Sequence, residues 1–416
     1  MKTILPSDLY QLLGGLAPAD FLAGWWQKQP LLIKNAIPGF KPLISKADLF
    51  ALAKQDEVES RLVTRRGKLW QLDHGPFTAR DFRRKVDNTV AKTVATTADN
   101  AANKAANKAA HKAAGEKWSL LVQGVNLHNA QADALLRRFS FIPYARLDDL
   151  MISYANHGGG VGPHFDPYDV FLLQAAGKRR WRVSMQRDKT LLPGAPLKIL
   201  KNFKHTMEWT LEPGDMLYLP PGCAHEGVAD GECMTYSIGF RAPSAEELAR
   251  GFLEYLAETV VRQGFYADPG LKPAARAALI DDAYVKNAAQ LVGSLKPSVG
   301  AFETFLGCRL TEPKADVFFD TPESATGDSL TPAQFAAQVR KHGAALDRKT
   351  QMLYRGKRVF INGEIAPVVA NEFLKSLADA RRTAPRNSRA EEISSANIKA
   401  IYPWYIYGWL HPLETS

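Results

Sequence analysis

Residues 162–183, GPHFDPYDVFLLQAAGKRRWRV, contain a histidine and an aspartate two positions apart, His164 and Asp166. If this stretch forms a β-strand, its two-residue period places both side chains on one face and Phe165 on the other. An imidazole and a carboxylate on one face supply two ligands of a facial triad, which binds Fe(II) and leaves positions open for a co-substrate and oxygen. The pattern alone is weak evidence for a metal site, because a core histidine beside a turn-forming aspartate gives the same sequence pattern.

A second histidine in a suitable setting strengthens the metal-site interpretation. His225 ends the segment EPGDMLYLPPGCAH, in which a turn, a short strand and a tight PPG turn precede it. This order of elements delivers a side chain to the mouth of a β-barrel. His205 is the alternative, although its neighbours are typical of a loop that enters a strand. We therefore predict a metal site made by His164, Asp166 and His225.

The basic end of the first stretch offers a group that binds carboxylates. An iron oxygenase of this type needs a reductant, usually 2-oxoglutarate, and arginine can hold its distal carboxylate through two parallel hydrogen bonds. We expect a turn at AAGK, followed by a strand that directs Arg179 and Trp181 to one face and Arg180 and Arg182 to the other. A solvated basic strand is the alternative. Ser153, in the strand LMISYA, is predicted to contribute a hydroxyl to the same carboxylate.

Short strands punctuated by glycine and proline must position these side chains. Their spacing across residues 118–243 is typical of an antiparallel barrel or jelly roll, and residues 61–80 predict a hairpin with its turn at RRGK. Residues 87–116 instead repeat Ala, Asn, Lys and Thr, with AANK twice, and their only large aliphatic residue is valine. We interpret this segment as a solvated insertion in a loop, with a basic nucleic-acid-binding segment as the alternative.

Helical periodicity begins after the predicted barrel. Apolar residues recur at helical spacing in residues 251–295, and the remaining chain mixes short helices with strands. We predict an α+β protein with a catalytic barrel at residues 1–243, a helical region at 244–298 and a C-terminal domain at 299–416. The helical region suggests dimerisation, although amphipathic helices also simply cover barrels.

Composition limits the class of protein. The 416 residues, 46% of them hydrophobic, allow a sizeable core and more than one domain. The net charge of +10 suits a polyanion or a ribonucleoprotein context, but it is spread along the chain without a polybasic block. Three cysteines without a CxxC spacing predict neither a disulfide framework nor a zinc knuckle. No stretch approaches the roughly 18 apolar residues of a membrane span, so we expect a cytoplasmic protein.

Three segments resemble the cupin-like JmjC ribosomal oxygenases of bacteria. They are FIPYARLDDLMIS at 141–153, GGGVGPHFDPYDVFLLQAAGKRRWRV at 158–183 and GDMLYLPPGCAHEGVA at 214–229. The resemblance is greatest to the members that hydroxylate an arginine of L-sixteen, a protein of the large ribosomal subunit. It implies a double-stranded β-helix barrel, a helical dimerisation region and a winged-helix-like C-terminal domain. The insertion at 87–116 departs from the family pattern but leaves the ligand residues untouched.

The resemblance also implies the cofactors and the reaction. Fe(II) would be bound by His164, Asp166 and His225, and 2-oxoglutarate, the co-substrate beside O2, by Arg179 and Ser153. The implied reaction is hydroxylation of an arginine β-carbon in a large-subunit ribosomal protein by a homodimer. The resemblance implies a protein partner and no association with a membrane, while direct nucleic-acid binding stays open.

Other functions remain open at this point. A histidyl hydroxylase of the same family acts on another ribosomal protein. A catalytically silent cupin would bind a ribosome or nucleic acid without 2-oxoglutarate, and a cupin isomerase or a dioxygenase independent of 2-oxoglutarate would not need Arg179. Tyr168 and Asp169 are candidates for contacting a substrate guanidinium, which an aromatic face and a carboxylate suit. Core packing and a turn are the structural alternatives for these two residues.

Overall fold

The structure of the chain is a computed structural model. It describes the following residues: 6–82, 116–259, 266–273, 276, 278–293, 297–323, 329–383 and 393–413. The insertion predicted at 87–116 lies outside these ranges except for Glu116. The chain divides into two compact units, unit 1 with Met1–Ala242 and Lys314–Phe319, and unit 2 with Pro243–Pro313 and Asp320–Ser416. The three-part division made from the sequence stays a prediction.

Unit 1 is built on a ten-stranded sheet whose pairs are all antiparallel among the described residues, as the predicted barrel requires. Its strands are β1 (Leu31–Ile33), β2 (Ser60–Arg66), β3 (Leu69–His74), β4 (Lys117–Val122), β5 (Leu147–Ala155), β6 (His164–Phe165), β7 (Val170–Ser184), β8 (Met207–Leu211), β9 (Met216–Leu219) and β10 (Ala224–Phe240). Its helices are α1 (Pro6–Leu12), α2 (Pro18–Gly24), α3 (Lys46–Leu52), α4 (Val125–His128) and α5 (Ala130–Arg137). The main path of the sheet runs β1-β9-β7-β10-β5-β4-β2-β3, while β6 pairs with β10 and β8 with β7.

Strand alternation divides unit 1 into a packed face and an open face. On β5, Leu150, Ile152 and Tyr154 are buried in the main hydrophobic core, which the N-terminal helices cover. Phe21 of α2 anchors this cover, because its ring lies 5.0 Å from the ring of Tyr218 on β9. The intervening residues of β5 therefore face the other side of the sheet, where a site can form.

The turn predicted at AAGK is wrong, because β7 runs through it without a break. Gly177 adopts a φ of +62°, and the register between β7 and β10 shifts between Asp230 and Met234. The segment is thus a β-bulge within one long strand. The predicted hairpin at 61–80 is confirmed, with Arg66 paired to Leu69 across the turn.

Unit 2 combines helices with two small antiparallel sheets. Its helices are α6 (Ala245–Thr259), α7 (Asp282–Gly293), α8 (Val299–Thr311), α9 (Pro332–His342), α10 (Glu372–Ala380) and α11 (Ser395–Ile406). Strands β12 (Met352–Arg355), β13 (Arg358–Ile361) and β14 (Glu364–Val369) form one sheet, and β11 (Ala344–Leu346) pairs with β15 (Leu410–Pro412). The mixture of short helices and strands predicted for the remaining chain is confirmed. Within the described ranges, no helix has the length and apolar character that crossing a bilayer requires.

Candidate metal centre and co-substrate pocket

The structure brings the three residues of the predicted metal site together. The Oδ2 atom of Asp166 lies 3.8 Å from Nε2 of His164 and 3.7 Å from Nε2 of His225, and the two imidazole centroids are 4.2 Å apart. Two short strands set this arrangement, because β6 pairs with the start of β10 and places His164 directly opposite His225. The backbone N–H of Gly222 also donates to the Asp166 carbonyl over 2.7 Å, which ties the PPG turn to the carboxylate ligand.

Backbone carbonyls orient both imidazoles. Nδ1 of His164 lies 2.9 Å from the Gly162 carbonyl, and Nδ1 of His225 lies 3.0 Å from the Cys223 carbonyl. Because a carbonyl oxygen can only accept, each Nδ1 carries the proton and each Nε2 keeps its lone pair for a metal.

Burial keeps His225 neutral. It lowers the pKa of His225 to about 4, and the adjacent His164 ring contributes in the same direction. At neutral pH the imidazole therefore carries no charge, which is the form that binds a metal. His225 is 3% exposed, whereas about a quarter of the Asp166 side chain is open, so the centre has one accessible side.

Arg179 lies on the same face of the sheet as the triad. The predicted alternation is confirmed, since Arg179 and Trp181 are buried whereas Arg180 and Arg182 are not. Arg179 is 3% exposed, yet no carboxylate lies within ion-pair distance of its guanidinium among the described residues. Burial accordingly lowers the pKa of Arg179, although a guanidinium stays protonated. A buried cation without an anion is the form expected of a pocket for an anionic ligand.

Neighbouring side chains fix the direction of this guanidinium. Its Nη1 donates to the Ser153 hydroxyl over 3.1 Å and to the Thr235 hydroxyl over 3.4 Å, and its Nη2 donates to the Gly227 carbonyl over 3.2 Å. These bonds use three of its five N–H donors, and the buried Nε has no partner. Donors thus remain for a bound carboxylate.

Sequence reasoning missed Thr235 and Gln174. The Thr235 hydroxyl accepts from Arg179 and donates to Oε1 of Gln174 over 3.0 Å, and both residues are almost completely buried. Thr235 pairs with Ser153 across β10 and β5 and with Gln174 across β10 and β7. The one available signal was their polar character within otherwise apolar strands.

Trp181 lies between the triad and the arginine. Its ring centroid is 5.9 Å from that of His225 and 4.9 Å from the Arg179 guanidinium carbon. The buried ring therefore joins the two parts of the site.

The same face continues along β5 toward the mouth. Alternation places Met151 and Asp149 on the side of Ser153, and Met151 pairs with Ser237 of β10. The Asp149 carboxylate accepts from the Gly124 N–H over 2.9 Å and forms an ion pair with the Lys314 amine at 3.7 Å, and burial raises its pKa. A carboxylate therefore lies on this face beyond the arginine pocket.

The other candidates from the sequence, Tyr168, Asp169 and His205, have surroundings that differ from those of the metal ligands. Tyr168 is 38% exposed, and burial together with the Asp166 charge raises its pKa. Asp169 is fully buried, accepts from the Tyr218 hydroxyl over 2.6 Å and lies 3.5 Å from the Arg146 guanidinium, so its partners belong to the fold itself. His205 lies in the loop before β8, 3.7 Å from Glu208 of that strand and outside the cluster of metal-binding groups.

The donor set fits Fe(II) and 2-oxoglutarate. Two imidazoles and one carboxylate on a partly open face are the ligand set of non-haem Fe(II) oxygenases. Among the described residues this is the one group of three or more such side chains whose ligand atoms lie within 4.8 Å of one another. The buried, anion-free Arg179 supplies the cation that a dicarboxylate co-substrate needs.

Comparison with known families agrees with this chemistry. Residues 134–248 match the JmjC domain, and residues 300–411 match the ROXA-like winged helix. The chain is 40% identical over 260 residues to the ribosomal protein uL16 3-hydroxylase of Escherichia coli, a match that spans 62% of each protein. It is 28% identical over 439 aligned positions to the probable ribosomal oxygenase of Haemophilus influenzae, covering 98% of this chain and 99% of the relative.

Solved structures extend the similarity to the whole fold. A crystal structure of Escherichia coli YcfD superposes with a TM-score of 0.76 at 30% identity, covering 94% of this chain and 97% of that one. The YcfD ribosomal oxygenase in complex with cobalt and 2-oxoglutarate gives a TM-score of 0.73, also at 30% identity, over 95% of this chain and 98% of that one. With its JmjC cupin barrel and C-terminal winged helix, the chain belongs to the JmjC ribosomal oxygenase family.

Proposed function

We propose that this protein is an Fe(II)- and 2-oxoglutarate-dependent oxygenase that hydroxylates the β-carbon of an arginine in ribosomal protein uL16, the L-sixteen protein of the large subunit. The observation that carries the proposal is the pairing of a two-histidine, one-carboxylate cluster with a buried arginine that has no carboxylate partner among the described residues. The similarity to the uL16 3-hydroxylase supports the choice of target.

The residues divide the work between metal and co-substrate. His164, Asp166 and His225 hold Fe(II), and Arg179 with Ser153 binds the distal carboxylate of 2-oxoglutarate. When bound, iron with 2-oxoglutarate and O2 supplies the oxidation: one oxygen atom enters the substrate C–H bond, the other enters succinate, and CO2 leaves. The protein contributes fixed positions for the reacting groups, and the buried Trp181 ring joins the two parts of the site.

The open face gives a reason for arginine as the target. The ring of Tyr168, which is 38% exposed, suits a guanidinium, because guanidinium groups bind aromatic faces. A neutral imidazole gains less from an aromatic face than a cation does, so Tyr168 favours an arginyl over a histidyl hydroxylase.

Mass spectrometry of uL16 tests the proposal. Purified uL16 is incubated with the protein, Fe(II), 2-oxoglutarate and ascorbate, beside an Asp166→Ala control. A gain of one oxygen atom on an arginine, absent from the control, is the expected result. Succinate formation that needs Asp166 but leaves uL16 unmodified would keep the oxygenase and discard this substrate. Neither product from a folded, metal-loaded protein would favour the silent binding module.

We further propose that the protein acts as a homodimer in the cytoplasm, where ribosomal proteins are made. Large apolar side chains are exposed around α7 and at the start of α8, namely Leu271, Leu279, Ile280, Val285, Val292 and Val299. A second copy of the same region would cover such a surface. Light scattering of the purified protein should give twice the monomer mass, and a Val292→Glu variant should give the monomer mass.

A further inference from the structure

Unit 2 contains a cavity of 790 Å³ that is separate from the proposed iron site. It lies between α6, the second half of α8 and the turn that joins β13 to β14. We name it the acidic groove, because its lining contains two arginines and six glutamates, Glu246, Glu247, Glu254, Glu258, Glu312 and Glu364.

The two arginines do not neutralise the groove. Arg250 pairs with Glu246 over 2.5 Å, and Arg309 pairs with Glu312 over 2.6 Å. Glu247 accepts from the Ser244 N–H at the start of α6. The structure shows no cationic partner within ion-pair distance, among the described residues, for the three remaining carboxylates, those of Glu254, Glu258 and Glu364. The groove is therefore negative in a chain whose net charge is +10.

A buried amide in the groove wall also lacks a partner. Asn362 is 9% exposed, and its Oδ1 accepts from the Gln351 N–H over 2.9 Å. Its Nδ2 is buried and has no hydrogen-bond acceptor among the described residues. An unsatisfied buried donor is costly, so this amide would gain free energy from an acceptor that a ligand in the groove brings to it.

The groove is preformed and has an apolar wall. Phe305 of α8 lies against α6, with its ring 6.0 Å from that of Tyr255. A Cβ atom at Gly251 would lie 3.2 Å from the Phe305 ring, so glycine lets the two helices approach closely. An aromatic wall opposite carboxylates suits the long aliphatic stems and charged ends of lysine and arginine.

We propose that the acidic groove docks a Lys/Arg-rich segment of the ribosomal-protein substrate, apart from the arginine that is hydroxylated. Glu254, Glu258 and Glu364 would pair with the cationic side chains, and Asn362 would donate to a backbone carbonyl of the docked segment. The negative groove repels nucleic acid, whereas proteins that bind ribosomal RNA carry the complementary positive charge. This inference rests on the proposed function.

Kinetics with two substrates test the groove independently of the reaction site. We compare full-length uL16 with a short peptide around the modified arginine, using the Glu254→Gln/Glu258→Gln variant. For uL16 at low salt, KM should rise about fivefold with kcat unchanged, because two exposed ion pairs are lost. For the peptide, both constants should stay unchanged. The matched control is Asp56→Asn/Glu57→Gln, which removes two exposed charges outside the groove.

A second variant distinguishes the contribution of the Asn362 amide to binding from that of the negative charge of the groove. Asn362→Asp keeps an oxygen for the Gln351 N–H but replaces the donor by a negative group. If charge alone attracts the segment, this variant should bind uL16 more tightly. If Nδ2 donates to the segment, binding measured by calorimetry should weaken, which is the result we expect.

Distinct outcomes separate the two proposals. Hydroxylation of neither substrate would remove the proposed function. Hydroxylation of the peptide, with equal uL16 constants for the groove variant and its control, would overturn the docking proposal alone. A change in molecular mass of the groove variant by light scattering would also overturn it, because the groove would then serve self-association.

Discussion

A Cβ atom at position 227 would lie 2.6 Å from Nε of Arg179, so Gly227 leaves open the space that the guanidinium occupies. The same Cβ atom would lie 2.7 Å from the indole ring of Trp181. The requirement for glycine thus comes from close approach. Because Gly227 of β10 has no side chain, Arg179 and Trp181 of β7 can both pack directly against its backbone.

Gly227→Ala should therefore weaken 2-oxoglutarate binding while leaving the metal ligands in place. An extra methyl in a packed site costs about 1–3 kcal/mol, so we expect the Kd for 2-oxoglutarate to rise at least about fivefold. Calorimetry with the metal-loaded protein measures this. Gly24→Ala is the control, because nothing lies within 4 Å of the added methyl there. An unchanged Kd would contradict the assignment of Arg179.

Arg179→Met should raise the stability of the protein in the absence of 2-oxoglutarate. It replaces a buried cation that lacks a counter-ion by an apolar chain, and so removes a desolvation penalty on the order of several kcal/mol. The increase in Tm that 2-oxoglutarate gives the native protein should disappear. Thermal unfolding with and without 2-oxoglutarate measures both effects.

Arg137→Met provides the opposite case for comparison. Arg137 is equally buried but pairs with Asp133 over 3.0 Å, so its loss leaves a carboxylate without a partner and should lower Tm. If both variants lower Tm alike, the arginine at 179 is a structural residue.

Asp166→Ala should abolish metal binding, whereas His205→Ala should not affect it. Removing the carboxylate leaves two imidazoles, too few for a stable Fe(II) site. Titration with Co(II), followed by its visible absorption, reports the site without turnover. Equal loss in both variants would return His205 to consideration as a ligand.

Asp215 should make unit 1 sensitive to acid. Burial raises the pKa of Asp215, but the Glu212 N–H, the Lys34 amine and the Asn35 N–H together lower it below its ordinary value of 3.8. A lowered pKa means that the carboxylate stabilises the fold above the unfolded pKa and that this contribution is lost as pH falls through the folded value.

Asp215→Asn tests this contribution. The variant should be about 1–3 kcal/mol less stable than the native protein at pH 7, and the difference should narrow below about pH 4. Urea unfolding across this range measures it, with Asp56→Asn as an exposed control. A difference that does not vary with pH would show that the carboxylate charge is not responsible.

The metal ligands could be predicted because their signals are local. His164 and Asp166 lie two apart, and His225 follows a turn whose Pro-Pro-Gly letters define it. The sequence placed Arg179 on the correct face, because the alternation of side chains after Lys178 is intact. The turn predicted before Arg179 is a bulge in the structure. The roles of these residues as ligands remain predictions that the experiments above test.

Thr235 could not be predicted in this way. It reaches Arg179 because β10 lies between β5 and β7 and because its register shifts next to Met234. Strand order and register are long-range properties, and a short window of sequence does not contain them. The same limit applies to the acidic groove, which forms only when α6, α8 and the turn at Asn362 come together.

Strand β10 carries His225, Gly227 and Thr235 on one face, which limits how the sequence of this strand can change in evolution and in protein engineering. A slip of one residue against β7 would turn all three away from the site at once. A shift of this strand would therefore remove the whole site and not a part of it. An insertion or deletion within β10 would need matching changes in its neighbours β5 and β7. A chimaera that moves this chemistry into another barrel would need β10, the bulge at Gly177 and the facing half of β7 as one cassette.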